Sequence, residues 1–263
     1  MKRLISVTAA LCLLCACSLN EAQGEKNTAK KENPPKEVKK EKEDAAQDDL
    51  VLEAAYFNEI NEVDGKKVIL NPENILSLMN KEFYLPADYA PNDLVRPNVA
   101  FSFGDEDVEK SYMRREAAEA LENMFAAAKE EGVILYAVSG YRSYDRQKAV
   151  LAAEINRVGK EKAEQAVAIP GTSEHQSGLA MDISSESEGY LLTENFGLQA
   201  EGIWLCENAH RFGFILRYPK EKEGITQYQY EPWHFRYVGE DAAKMMYEKD
   251  WTLEEFFNHV KKI

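Results

Sequence analysis

Two of the four histidines in this 263-residue chain stand in short polar segments beside acidic residues. One segment is Ser173-Glu174-His175-Gln176-Ser177-Gly178-Leu179-Ala180-Met181-Asp182, and the other is Glu231-Pro232-Trp233-His234. Zinc centres that perform hydrolysis usually keep three N/O ligands and leave a fourth position for water. His175, Asp182 and His234 would supply two imidazoles and one carboxylate, and Glu231 is a candidate base for the water of such a centre. The competing reading is a cluster of structural hydrogen bonds, and residue types alone leave both readings open. His210, in a helical stretch beside Arg211, and His259 read as surface or packing histidines.

These side chains need elements to aim them. Leu179 to Ser184 alternates, with Leu179, Met181 and Ile183 on one face of a strand and Ala180, Asp182 and Ser184 on the other. Asp182 thus shares its face with a small neighbour and has room to reach an ion. Gly178 lets the loop carrying His175 fold back toward that face. Gln229 to Val238 is aromatic-rich and reads as a second strand. On a regular strand Glu231 and His234 would face opposite sides, so a local bend at Pro232 is required for both to serve one centre.

Upstream, Asp107 to Glu131 is alanine-rich and charged, with Ala117, Leu121, Met124 and Ala128 at helical spacing. It reads as one amphipathic helix closed by Gly132. Val133 to Val138 reads as a buried strand and Tyr144 to Val158 as a helix. Glu201 to Phe212 reads as a helix ending at Gly213, and two short helices follow Gly239. Helices and strands mix without a regular βαβ repeat. The expected class is α+β, a small antiparallel sheet flanked by helices, with the candidate zinc site, if it is one, on the sheet face.

Between the Val133 strand and the next helix lies Ser139-Gly140-Tyr141-Arg142-Ser143, with Gln147 five residues after the arginine. Taken with Ser173-x-His175-x-x-Gly178-x-Ala180-x-Asp182 and Glu231-x-Trp233-His234, this resembles the D-alanyl-D-alanine carboxypeptidase (VanY-like) family of zinc peptidases, L,D-carboxypeptidase relatives included. The lead-in Leu85-Pro86-x-x-Tyr89-x-Pro91-x-Asp93-Leu94 has the same look, and the resemblance covers about residues 73–240. It implies one Zn2+ per chain held by His175, Asp182 and His234, with Glu231 as general base. It implies Arg142 as the group that stabilises the oxyanion or grips the substrate, a task suited to a planar, permanently charged fork. Gln147 and Ser173 would help hold the peptide; the alternatives are a helix-surface glutamine and a loop hydroxyl capping the backbone. Trp233 reads as packing, and Tyr141 is open.

The rest of the chain bears on where this chemistry takes place. Lys2 and Arg3 precede a short apolar run from Leu4 to Leu14, too short for a permanent span, so residues 1–17 read as a signal peptide. The run ends in Leu14-Cys15-Ala16-Cys17, which resembles a lipobox, with Cys17 lipidated after processing; an ordinary signal peptide is the alternative. Residues 18–50 read as a disordered charged linker: from Glu21 to Asp49 there are seven lysines, nine acidic residues and no aromatic. Cys206 alone remains for the mature protein, so no internal disulfide forms, and its apolar neighbours suggest a buried small hydrophobe.

Residues 51–263 have the length of one catalytic domain. The formal net charge of −14 argues against nucleic acid as a partner. The expected partners are peptidoglycan stem peptides and, through the lipid anchor, the outer face of the bacterial cell membrane; a monomer is expected. The expected activity is removal of the C-terminal D-alanine from stem peptides, with D,D or L,D preference undecided. Competing classes are a wall-binding lipoprotein of the same fold without catalysis, a stem-peptide endopeptidase, and a D-Ala-D-Ala dipeptidase.

Overall fold

The computed structural model describes residues 50–263. The expected leader at 1–17, with Cys17, lies outside the described residues, as does the linker at 18–50 apart from Leu50. Four strands form the central sheet: β1 (Tyr136–Ser139), β2 (Ala180–Ser184), β3 (Phe214–Leu216) and β4 (His234–Tyr237). Their order is β1-β2-β4-β3 and every pairing is antiparallel. The α+β expectation therefore holds. Smaller sheets lie outside this one and include two parallel pairs, Lys67–Val68 with Phe83–Tyr84 and Val51–Leu52 with Lys261–Lys262.

Alternation assigns the two faces of the sheet. Ala137, Leu179, Met181, Ile183, Phe235 and Tyr237 belong to the main core. They pack with Ala117, Leu121, Met124 and Ala128 of α1 (Arg115–Glu130). A second cluster joins Ile215 and Val238 to the helices α4 (Glu240–Lys249) and α5 (Leu253–His259). Apart from Ala180, the opposite set of β2 and β4 residues is polar, and register puts Asp182 directly across from His234 and, past a bulge, beside Ser139. Asp182 and His234 thus stand on one face because the core demanded the other.

Several boundaries differ from expectation. The helix expected from Asp107 starts at Arg115. Before it, Glu109–Ser111 form a turn in which the Ser111 hydroxyl donates to the Val108 carbonyl, and Met113–Arg114 pair with Leu94–Val95. The carbonyls of Lys110 and Tyr112 accept the amides of Gly140 and Tyr141, so tertiary pairing overrides helix propensity there. The β1 strand begins at Tyr136 rather than Val133. Helix α2 (Tyr144–Val158) has the expected limits, with Ser143 as its cap. Helix α3 (Ala200–Asn208) runs into a tighter turn, Ala209–Phe212, that ends at Gly213 in the left-handed region. Cys206 is exposed, correcting the buried reading: its neighbours Trp204 and Leu205 take the inward face of α3 and leave Cys206 outside.

Candidate active site

The motif around His175 is a tight turn, Glu174–Ser177, stopped by Gly178 at φ 68°. A side chain at Gly178 would also press on Leu94 and Arg114, so the turn requires glycine for conformation and for space. The turn delivers His175, which is buried, to the end of β2. The His175 Nδ1 sits 2.8 Å from the Gly140 carbonyl, leaving Nε2 at 3.3 Å from Asp182 Oδ2.

His234 opens β4. The expected strand through Gln229 is absent: residues before His234 form a turn in which the His234 amide donates to the Glu231 carbonyl at 3.2 Å. The bend expected at Pro232 is thus a full reversal outside the strand, and period-two alternation does not apply to Glu231. The Glu231 carboxylate accordingly comes within 4.0 Å of His234 Nδ1. The same Nδ1 is 2.9 Å from Asp182 Oδ1. Among the described residues, His175, Asp182 and His234 bring one donor atom each within 4.8 Å of one another, all three buried. Two imidazole nitrogens and a carboxylate oxygen converging at this range fit the donor set and spacing of a three-ligand metal centre.

Arg142 closes another side. Its amide donates to the His175 carbonyl at 3.1 Å, tying the start of α2 to the histidine turn. The guanidinium donates through Nη1 to Gln147 Oε1 at 3.0 Å and through Nη2 to Ser139 Oγ at 3.1 Å. Gln147 is buried, not on the helix surface, and its amide donates to the Ala168 carbonyl at 2.7 Å. Ser173 is buried too, and its hydroxyl does not cap the turn that follows. Arg142, Gln147 and Ser173 line one cleft of about 240 Å³ together with His175, Asp182, His234 and Glu231, with Leu192, Tyr218, Tyr228 and Trp233 among its walls. Trp233 also packs on the core, whereas Tyr141 is buried and outside the cleft lining. His210 stacks on Tyr247 and His259 on Trp251, both away from the site.

Sequence reasoning missed Glu174, Arg217 and Arg236. Glu174 is fully buried, accepts from both arginines, and holds His234 Nε2 at 3.3 Å. The available signal was a pair of arginines inside apolar runs, Leu216-Arg217-Tyr218 and Phe235-Arg236-Tyr237, which cannot be buried without an anion.

Burial shapes the electrostatics unevenly. Loss of water pushes the Glu231 carboxyl up to about 7, against the pull of His234. Burial alone would discharge His234, but hydrogen bonds to Asp182 and Glu174 outweigh it and raise the ring to about 9. For His175 burial wins and its pKa is lowered. Asp182 is held below the carboxylate range because the two histidines overcome its burial.

Residues 110–240 match the family model described as VanY, D-alanyl-D-alanine carboxypeptidase. YodJ of Bacillus subtilis, provisionally named a carboxypeptidase, is 54% identical over 261 residues, covering 98% of this chain and 95% of that protein. The chain belongs to the VanY family. Among solved structures, the LD-carboxypeptidase LdcB superposes with a TM-score of 0.79 at 59% identity, covering 81% of this chain and 100% of that one. A glutamate-to-alanine variant of the VanY D,D-pentapeptidase from a vancomycin-resistance cassette, in complex with Zn(II), gives 0.56 at 34% identity, covering 70% and 98%. The VanY family is thus an enzyme family with members solved on either side of the L,D and D,D divide.

Proposed function

We propose that this protein is a zinc-dependent carboxypeptidase that removes the terminal D-alanine from peptidoglycan stem peptides. The observation that carries the proposal is the convergence of His175, Asp182 and His234 within 4.8 Å, with the Glu231 carboxylate 4.0 Å from His234 Nδ1. In this reading His175, Asp182 and His234 hold the metal. The chemistry supplied there by zinc, when bound, is polarisation of the scissile carbonyl and acidification of the attacking water. Glu231, whose carboxyl is raised to about 7 by burial in the metal-free chain, takes the proton of that water and returns it to the leaving D-alanine nitrogen. Arg142 receives the terminal carboxylate or the developing oxyanion. Gln147 orients the guanidinium, and Ser173 offers a hydroxyl to the peptide from the cleft wall.

The 59% identity with an LD-carboxypeptidase, against 34% with a D,D-pentapeptidase, supports tetrapeptide stems as the preferred substrate. The proposed setting is the outer face of the cell membrane, with Cys17 lipidated and residues 18–50 as tether. The test is mass spectrometry of muropeptides incubated with the zinc-supplemented full chain, pentapeptide and tetrapeptide stems being supplied separately, each with a chelator control. Chelator-sensitive loss of one alanine from the tetrapeptide is expected. Loss from the pentapeptide alone would reassign the enzyme as D,D-specific, and shortening of neither stem would remove the carboxypeptidase reading.

A further inference from the structure

Behind the three donors lies a charge cluster to which the reaction as proposed gives no part. The side chains of Glu174, Arg217 and Arg236 are all 0% exposed. Buried ion pairs of this kind are often no more stabilising than apolar residues of equal volume, so their presence asks for a reason other than stability.

The cluster is asymmetric. Both guanidiniums converge on a single oxygen of Glu174: Arg217 Nε and Arg236 Nη1 each donate to Oε1 at 2.8 Å. The other oxygen, Oε2, is left for His234 Nε2 at 3.3 Å. Neither arginine is free to turn away. Arg217 grips the two oxygens of Glu254 at 2.9 and 2.7 Å. Arg236 donates to the carbonyls of Tyr237, Ile75 and Ser77 at 2.9, 2.8 and 2.9 Å. The carboxylate of Glu174 therefore cannot exchange its oxygens without breaking bonds to fixed donors.

We propose that Glu174 is a positioning residue of the metal centre. Its Oε2 accepts the Nε2 proton of His234, which leaves the lone pair of the neutral ring on Nδ1, the atom that faces Asp182 and Glu231. This rests on the zinc reading above. A neutral imidazole has one nitrogen without a proton, and only that nitrogen can ligate a metal; the acceptor at the other nitrogen selects it. The two histidines of the site solve this in opposite senses. His175 gives its Nδ1 proton to a backbone carbonyl and presents Nε2. His234 gives its Nε2 proton to a carboxylate and presents Nδ1.

The isosteric variant Glu174→Gln makes the idea testable. Two arginines demand an acceptor at the Oε1 position, so the amide oxygen stays there and the amide NH2 faces His234 Nε2. A donor at that point favours the Nδ1–H tautomer, which cannot ligate through Nδ1. Zinc affinity of the full chain would be measured by competition with a chromophoric chelator. Histidine-labelled 15N spectra of the zinc-loaded wild type would be recorded beside it. Glu254→Gln serves as the comparison, because it removes one charge from the same network without touching the imidazole.

Glu174→Gln is expected to weaken zinc binding roughly 10–100-fold, Glu254→Gln to stay within about threefold of wild type, and His234 to show a protonated Nε2 and a metal-bound Nδ1. Wild-type affinity in Glu174→Gln overturns the proposal, as does an equal loss in Glu254→Gln or ligation of His234 through Nε2. If Glu174→Gln does not fold, the wild-type spectrum decides by itself. A wild-type chain that takes up no zinc refutes the centre as a whole, whereas zinc-binding wild type matched by Glu174→Gln refutes only the role of Glu174.

Discussion

Glu231 and Glu174 are both carboxylates beside His234, and their surroundings push them to opposite states. Glu231 has lost water, and the pull of His234 and Arg142 does not make good that loss, so its pKa rises toward neutrality. Glu174 is buried more deeply, yet Arg217 and Arg236 hold it ionised. The first suits proton exchange and the second a permanent acceptor. Glu231→Gln should therefore retain zinc, measured by chelator competition, while kcat on the stem peptide falls by at least about 100-fold. A variant with near-normal kcat would remove Glu231 from the base role. At this scale the sequence was informative where residue type implies chemistry: His175, Asp182, His234 and Glu231 stood out as a set. Glu174 did not, because its partners Arg217, just past β3, and Arg236, within β4, lie far along the chain and only the fold brings them together.

Among the elements, β1 and the turn after it hold the His175 turn through backbone, by the Gly140 carbonyl and the Arg142 amide. Gly140 accepts from His175 through its carbonyl, and a side chain there would collide with the Tyr112 carbonyl and come within 2.9 Å of Met181 Cε. Gly140→Ala should cost on the order of 1–3 kcal/mol in urea denaturation, the usual range for overpacking, and should weaken zinc binding because the shifted carbonyl releases His175. Unchanged stability together with unchanged zinc affinity would show that the segment yields without consequence. Helix α2 was legible because its limits are set locally, and the cap at Ser143 accounts for its start. The limits of α1 and β4 were not, since Lys110 and Tyr112 are recruited by the β1 turn and Glu231 by a reversal that Pro232 only hints at.

For the molecule as a whole, one sheet divides a hydrophobic core from an ionised layer, and its stability should report on the charge of that layer. In the metal-free chain His234 is raised to about 9 by Asp182 and Glu174 acting against burial. A raised folded-state pKa contributes stability that is complete below the unfolded value of roughly 6.5 and is lost as pH climbs through the folded value. Chelated protein should therefore lose urea resistance between about pH 6.5 and 9, and zinc-loaded protein, in which the metal takes the place of that proton, should not show this decline. An identical pH dependence with and without zinc would sink this account. The α+β class was readable from the mixture of periodicities; the closing of the ionised layer by Glu254 on α5 was not, because nothing local to α5 announces a distant arginine. That closure has a temporal side. A chain made from its N-terminus exposes His175 and Asp182 long before His234 exists, and the Arg217 that steadies Glu174 gains its own counterion only once α5 has docked. If the zinc reading holds, a complete donor set requires His234 as well as His175 and Asp182, so metal loading would fall late in folding.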